Sequence, residues 1–215
     1  MDLIVAVCRV LANRSRLRLL RSIHAQPGTT MQVLAAAAAL PIPETSKHLK
    51  RLAGVHLVQA TPQGRYVRYT PARPTATNHP WLRAVQQLVQ ALCAPHRSNS
   101  TLGQVWNCAA VAIRNADDED LIKLFTTYTH LRRLMILRQL VLHGPCSAEH
   151  LAVTLKMSTP AVHRHLHKLQ RRGVLSVTDA PPQVWHITNP VGAGRTELFT
   201  AVLRALKAGR QVEYA

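Results

Sequence analysis

Lys47, Lys50 and Arg51 in one stretch, and Arg164, Lys168 and Arg172 in another, are the side chains of this chain best suited to chemistry. Lys50 and Arg51 follow Lys47 by three and four residues, and Arg164, Lys168 and Arg172 stand four apart, so on a helix the charges of each set share a face. Thr45 and Ser46, and Ser158 and Thr159, place hydroxyls at the start of the same stretches, and His163 and His167 add imidazoles one turn apart. Guanidinium and ammonium groups in such a row pair with phosphates, and an arginine can also grip a guanine edge through two parallel hydrogen bonds. Catalysis is a poor fit. The chain has no glycine-rich phosphate loop, no GxSxG elbow and no HExxH pair, and four of its ten carboxylates are clustered at 117 to 120.

These two basic stretches are copies of each other. Residues 16 to 58 return in residues 133 to 175 at a constant offset of 117, without a gap. Identical pairs include Arg16/Arg133, Leu17/Leu134, Leu20/Leu137, Arg21/Arg138, Leu34/Leu151, Ala35/Ala152, Pro43/Pro160, His48/His165, Leu49/Leu166 and Leu52/Leu169. The leucines recur at helical spacings, which assigns Leu49, Leu52, Leu166 and Leu169 to a core behind each basic face.

The excess charge follows the repeats. The chain carries 27 Lys and Arg against 10 Asp and Glu, a net charge of +17. Residues 1 to 78 hold 11 basic side chains against Asp2 and Glu44, and residues 130 to 188 hold 8 against Glu149 and Asp179, whereas residues 79 to 129 balance at four each. A charge that served only solubility would not respect those boundaries. Neutralising phosphates releases counterions, so this distribution points to a polyanion, nucleic acid above all, and a basic helix present twice suggests double-stranded DNA as the partner.

The elements that must position these groups can be read from pattern and punctuation. Leu3, Ile4, Val7, Val10 and Leu11 predict a helix over 2 to 12; a second, capped by Asn13 or Ser15, ends at Pro27-Gly28. A third begins at Thr29 or Thr30 and runs from Met31 to Ala39, and a fourth starts at Pro43 and reaches about Ala53. Val55 to Thr61 and Arg65 to Pro71 predict a hairpin around Pro62-Gln63-Gly64. In the second copy the same order covers helices at 120 to 128, 131 to 142, 147 to 156 and 160 to about 171. Its hairpin spans Leu175 to Thr178 and Val184 to Thr188, with a turn one residue longer than in the first copy. Apolar stripes at 79 to 94 and 195 to 208 predict an amphipathic helix after each hairpin. A further helix, Thr101 to Asn115, has no counterpart. The fold class is therefore mainly α with small β-hairpin wings. One domain covers 1 to 94, a connection with the extra helix 95 to 117, and a second domain 118 to 215.

Three motifs, drawn from the two copies, resemble the ArsR-type winged helix-turn-helix regulators. Leu11-Ala12-Asn13-Arg14-Ser15-Arg16-Leu17-Arg18-Leu19-Leu20 is similar to that family's second-helix opening. Met157 through Leu166 is similar to its recognition-helix motif, and Gly64-Arg65-Tyr66-Val67-Arg68-Tyr69 to its wing. The resemblance implies two winged helix-turn-helix domains whose flanking helices pack together, as two separate chains do in that family. Here they would form an intrachain pseudo-dimer whose recognition helices enter successive major grooves, with half-sites roughly 34 Å apart. It implies a sequence-specific transcriptional regulator, a repressor in the first instance. Glu44, Thr45, Ser46, Lys47 and Lys50, and Thr159, Ala161, His163, Arg164 and His167, are expected to line the grooves, beside Ser158 at the helix start. Arg164 and Lys47 suit guanine edges, Ser46 and Thr45 suit phosphate, and Arg51, Arg65, Arg68, Lys168 and Arg172 suit phosphate clamps.

The chain departs from that family where metals bind. Thr29-Thr30-Met31-Gln32-Val33 and Cys146-Ser147-Ala148-Glu149-His150 stand in place of the cysteine-rich box, and His79 and His96 lack carboxylate partners, so no metal and no cofactor is expected. Cys8, Cys93, Cys108 and Cys146 are scattered, which reads as structural thiols in a reducing compartment. Met1 to Leu11 lacks a basic leader and a cleavage site, and no apolar run is membrane-length; a cytoplasmic protein without membrane contact is expected. His163 and His167 predict DNA affinity that rises on acidification, since imidazoles ordinarily titrate near pH 6.5. Two other readings remain open: a winged-helix scaffold for protein or RNA, which Pro41-Ile42 favours in the first copy, and a regulator switched by oxidation of Cys8 and Cys93. Further homodimerisation through the unmatched helix is also open.

Overall fold

The computed structural model describes residues 1–74, 79–93, 118–179, 181–190 and 195–208. The helix expected at 101 to 115, with Cys108, His96 and Asp117, lies outside them. In chain order the elements are α1 (Asp2–Leu11), α2 (Arg14–Ala25), β1 (Thr29–Thr30), α3 (Met31–Ala38), α4 (Ile42–Gly54), β2 (Val58–Gln63), β3 (Tyr66–Pro71) and α5 (Pro80–Cys93). They continue with α6 (Asp118–Thr126), α7 (Leu131–His143), α8 (Ala148–Thr154), α9 (Thr159–Gln170), β4 (Leu175–Val177), β5 (Trp185–Ile187) and α10 (Arg195–Ala208). The molecule is mainly helical with two small antiparallel sheets, as a winged-helix protein is.

Local chemistry sets these boundaries. The Asn13 side chain accepts a hydrogen bond from the Arg16 amide and caps α2, while Ser147 accepts from the His150 amide and caps α8. Proline occupies the first turn of both α4 and α9, where its missing N–H costs nothing. After α3 the chain turns through Ala39 at φ 51°, and at the corresponding place after α8 through Lys156 at φ 49°. His56 at φ 56° and Gly173 at φ 69° likewise follow α4 and α9. Each such turn returns the next amide to a helix-end carbonyl: Leu40 N to Ala35 O and Met157 N to Ala152 O, then Leu57 N to Leu52 O and Val174 N to Leu169 O. Backbone conformation and hydrogen bonding thus recur at the same offset as the residue identities.

The wings correct one reading. Gln63 pairs with Tyr66, so the first turn is Gly64-Arg65 and Pro62 lies within β2. Gly64 takes φ 59°, the positive angle that the first position of a type II′ hairpin turn demands. In the second wing the ladder ends at Val177 and Trp185, so its turn is longer than the first as expected, while from Leu175 to its partner Ile187 the hairpin spans one residue fewer than from Val58 to Pro71. Trp185 therefore occupies the ladder place of Tyr69. A short strand that periodicity does not reveal completes each wing: Thr29 pairs with Tyr69, and Cys146 bridges to Trp185.

Leu17, Leu20, Leu49, Leu52 and their counterparts Leu134, Leu137, Leu166 and Leu169 are all buried. They belong to one continuous apolar cluster that also takes in Trp81, Leu88, Phe125, Tyr128, Phe199 and Val202 from the flanking helices. α2 and α7 pack against α5 and α10 respectively; α5 also packs against α10, and α1 against α6. Truncating one of these leucines to alanine removes about 2–5 kcal/mol of stability. No helix among the described residues is long and apolar enough to cross a membrane.

Candidate nucleic-acid interface

Each candidate helix presents its basic side chains because its leucines are committed inward. On α4, Leu49 and Leu52 are buried, which leaves Lys47, Lys50 and Arg51 exposed and Ser46 half-buried. On α9, Leu166 and Leu169 are buried, and Arg164 and His167 are exposed with His163 and Lys168 half-buried beside them. Ser158 and Thr159 are exposed at the start of α9, and Arg172 is half-buried just past its end.

Two expected groove residues are elsewhere. Thr45 is completely buried, and its hydroxyl donates to the Pro41 carbonyl oxygen at 3.0 Å. It belongs to the core side of α4 and is not available to DNA. Ala161 is 5% exposed and packs into the core, so it does not line a groove either. Both errors arise because a helix of this length turns its third or fourth residue inward as soon as it leaves the preceding turn.

The wing arginines differ from each other. Arg65 is exposed in the Gly64-Arg65 turn. Arg68 is exposed too, but its guanidinium donates to the Gly28 carbonyl oxygen at 2.8 Å and to the Gln63 side-chain oxygen. Its first task is to tie the wing to the turn before β1.

The electrostatics are one-sided. Among the described residues the ion pairs involve Arg14, Arg21 and Lys123 with Asp118, Glu119 and Asp120; none engages the basic side chains of α4 or α9. Arg172, then burial, Arg171 and Arg133 hold the Lys168 ammonium below its ordinary range. Cations crowded without carboxylates seek an external polyanion. Two carboxylates do lie nearby: Glu44, exposed in the first turn of α4, whose charge acts on His48, and Glu149, whose own backbone and Ser147 hydrogen bonds, with the His163 ring, hold it below the usual carboxylate range.

Histidines extend the surface around α9. The His163 and His167 rings lie 6.0 Å apart at 27°, and His167 meets Trp185 edge-on at 5.6 Å. His130, which caps α7 through its ring nitrogen, lies 4.7 Å from His165. Burial, His130 and the arginines 133, 164 and 132 push the His165 imidazole down to about 4. Arg132 is exposed, and its charge acts on His165, so it borders α9. The sequence reading missed Arg132 and Arg171; the dipeptides Arg132-Arg133 and Arg171-Arg172 were the available signals.

Behind each candidate helix stands a buried arginine. Arg16 donates through Nη2 to the Arg9 carbonyl oxygen at 2.9 Å and through Nε to the Val10 carbonyl, closing the end of α1. Arg133 donates to the Thr129 hydroxyl at 3.1 Å. Burial first, then Arg51 and Arg172 respectively, lower their guanidinium pKa values.

No described cluster of His, Cys, Asp or Glu is able to hold a metal ion. Cys8 is buried, and burial raises its thiol far above the ordinary range; burial pushes the Cys93 thiol up to about 12 despite the opposing charge of Arg21. Both directions count against a thiolate of the kind that a redox switch uses.

Residues 129–183, which span α7 to the far side of the second wing turn, match the MarR family. The match supports a winged-helix regulator, and it names a different family from the ArsR-type proteins that the motifs resemble. No curated protein and no solved structure matches the chain.

Proposed function

We propose that the chain is a transcriptional regulator that binds double-stranded DNA in a sequence-specific manner, with α4 and α9 as its two recognition helices. Its two winged helix-turn-helix modules act as the halves of an intrachain pseudo-dimer. The observation that carries the pseudo-dimer is which elements touch. α1 packs against α6, its own counterpart at the offset of 117, and α5 packs against α10, the other helix that follows a wing. Contact between equivalent elements is what a twofold arrangement requires, because patch and partner are then the same surface. DNA binding is supported by the MarR match and by cations at Lys47, Lys50, Arg51, Arg164 and Lys168 that no described carboxylate neutralises.

Because Lys47-His48-Leu49-Lys50 stands opposite Arg164-His165-Leu166-His167, the two half-sites differ in sequence. Fragments selected from random duplexes should share one asymmetric bipartite site, with half-sites about one helical turn apart. Binding should weaken by orders of magnitude over a fourfold rise in salt if several phosphates are contacted. Salt-insensitive binding, or enrichment of structured RNA over duplexes, would reject this reading in favour of a protein or RNA scaffold. Repression follows if the selected site overlaps a promoter, and a cytoplasmic location accords with this role.

A further inference from the structure

We propose that Lys123, Arg172 and Arg195 form a cleft in the second module that recognises a phosphate group. The three side chains come from α6, the turn after α9 and the first residue of α10, and they line a shallow, solvent-open cleft together with Thr127 and Tyr128. Its enclosed part is about the size of one water, so an oxyanion would be held at the open mouth of the cleft and not engulfed.

Charge supplies the specificity. Lys123 shares its ammonium with Glu119 at 3.0 Å and Asp120 at 3.7 Å, so it is partly neutralised. The guanidiniums of Arg172 and Arg195 have no hydrogen bond or ion pair among the described residues. Glu197, the nearest carboxylate on α10, is two positions from Arg195 and so projects from a different side of the helix. Two guanidiniums that no described residue engages, beside an ammonium, match the oxygens of a phosphate, which they can grip in paired hydrogen bonds. The start of α10 adds the partial positive charge of a helix N-terminus.

The first module has no such site. At the offset of 117, Lys123, Tyr128 and Arg172 are replaced by Ala6, Leu11 and Val55, of which Leu11 and Val55 are buried. The cleft is therefore an acquisition of one half of the molecule and not part of the shared scaffold. Two sources offer the same chemistry, a free phosphate or the DNA backbone itself. The second rests on the DNA-binding reading above.

Calorimetric titration of the full chain with inorganic phosphate, without DNA and at constant ionic strength, separates the site from general attraction to a cationic protein. Arg195→Ala is compared with Arg204→Ala, which removes the same charge from an exposed position of the same helix outside the cleft. Phosphate should bind the wild type and Arg204→Ala alike and Arg195→Ala at least tenfold more weakly. Arg172→Gln should repeat that loss. If phosphate does not bind but duplex affinity falls selectively in Arg195→Ala and Arg172→Gln, the phosphate belongs to the DNA backbone. Phosphate binding that depends on Arg195 in a chain that binds no duplex keeps the cleft and rejects the DNA reading. Equal behaviour of Arg195→Ala and Arg204→Ala toward both ligands overturns the proposal.

Discussion

Arg21 of α2 and Asp118 of α6 form an ion pair of 2.5 Å across 97 positions of sequence, joining α2 to the first turn of α6. Asp118 also lies 4.0 Å from Arg14, and its side chain is only 13% exposed. A second tie runs nearby, from Arg9 Nε to the Thr129 carbonyl oxygen at 3.0 Å. Asp118→Asn should lower stability by about 0.5–1 kcal/mol, because the arginine partners are substantially exposed and solvent screens them. That corresponds to a fall of about 1–4 °C in melting temperature. An unchanged melting temperature at low salt would show that the pair contributes nothing.

Thr45 provides a test of the inward face of α4. Thr45→Val keeps the shape but removes the hydroxyl that donates to Pro41, and should cost about 1 kcal/mol of stability. Duplex affinity of the folded variant should match the wild type. A selective loss of DNA binding, measured by fluorescence anisotropy below the melting temperature, would return Thr45 to the reading face.

Arg164 and Arg51 should fail differently. Arg164→Ala is expected to cost about 1–3 kcal/mol on the preferred site and to relax the base preference at one position. Arg51→Ala should weaken all duplexes about equally and reduce the slope of log affinity against log salt by about 1. Competition with single-base variants of the selected site reads both outcomes, and identical profiles for the two substitutions would contradict the assigned roles.

Acid should destabilise the fold through His165 and His24. Burial and neighbouring charges lower His165 to about 4, and burial lowers His24 to about 4, from an ordinary value of 6.5. Between those values the unfolded chain binds more protons than the folded one, so stability is complete above about pH 6.5 and is lost as pH falls toward 4. Both rings are partly exposed, which keeps the effect modest. Melting temperature should drop between about pH 7 and 4.5, and less so in a His24→Gln, His165→Gln double variant. Equal acid sensitivity of the two proteins would remove these histidines from the account.

Thiol chemistry should be slow in the folded chain. Burial raises both Cys8 and Cys93, so alkylation at pH 8 should spare them until denaturant is added. Rapid labelling of Cys93 in the native protein, located by mass spectrometry, would revive the redox reading.

Pattern alone located most helices, since Leu17, Leu20, Leu49 and Leu52 and their copies at the offset of 117 mark helix faces that must be buried wherever the helices go. Local punctuation also sufficed for the starts of α4 and α9, because a proline at the first turn acts within its own few residues. Thr29 pairing with Tyr69, and Cys146 with Trp185, was illegible because two-residue strands have no periodicity and exist only through a partner some 40 positions away.

The amino-acid sequence by itself determined the recurrence of residues at an offset of 117, the basic faces and the leucine core behind them, for these depend on residue type and near-neighbour spacing. The tertiary structure alone decided that Thr45 and Ala161 turn inward and that Arg68 is held by Gly28. It also decided that Lys123, Arg172 and Arg195 converge and that α1 meets α6. Those outcomes depend on which surfaces of distant segments share one buried volume, and spacing along a chain carries no measure of that.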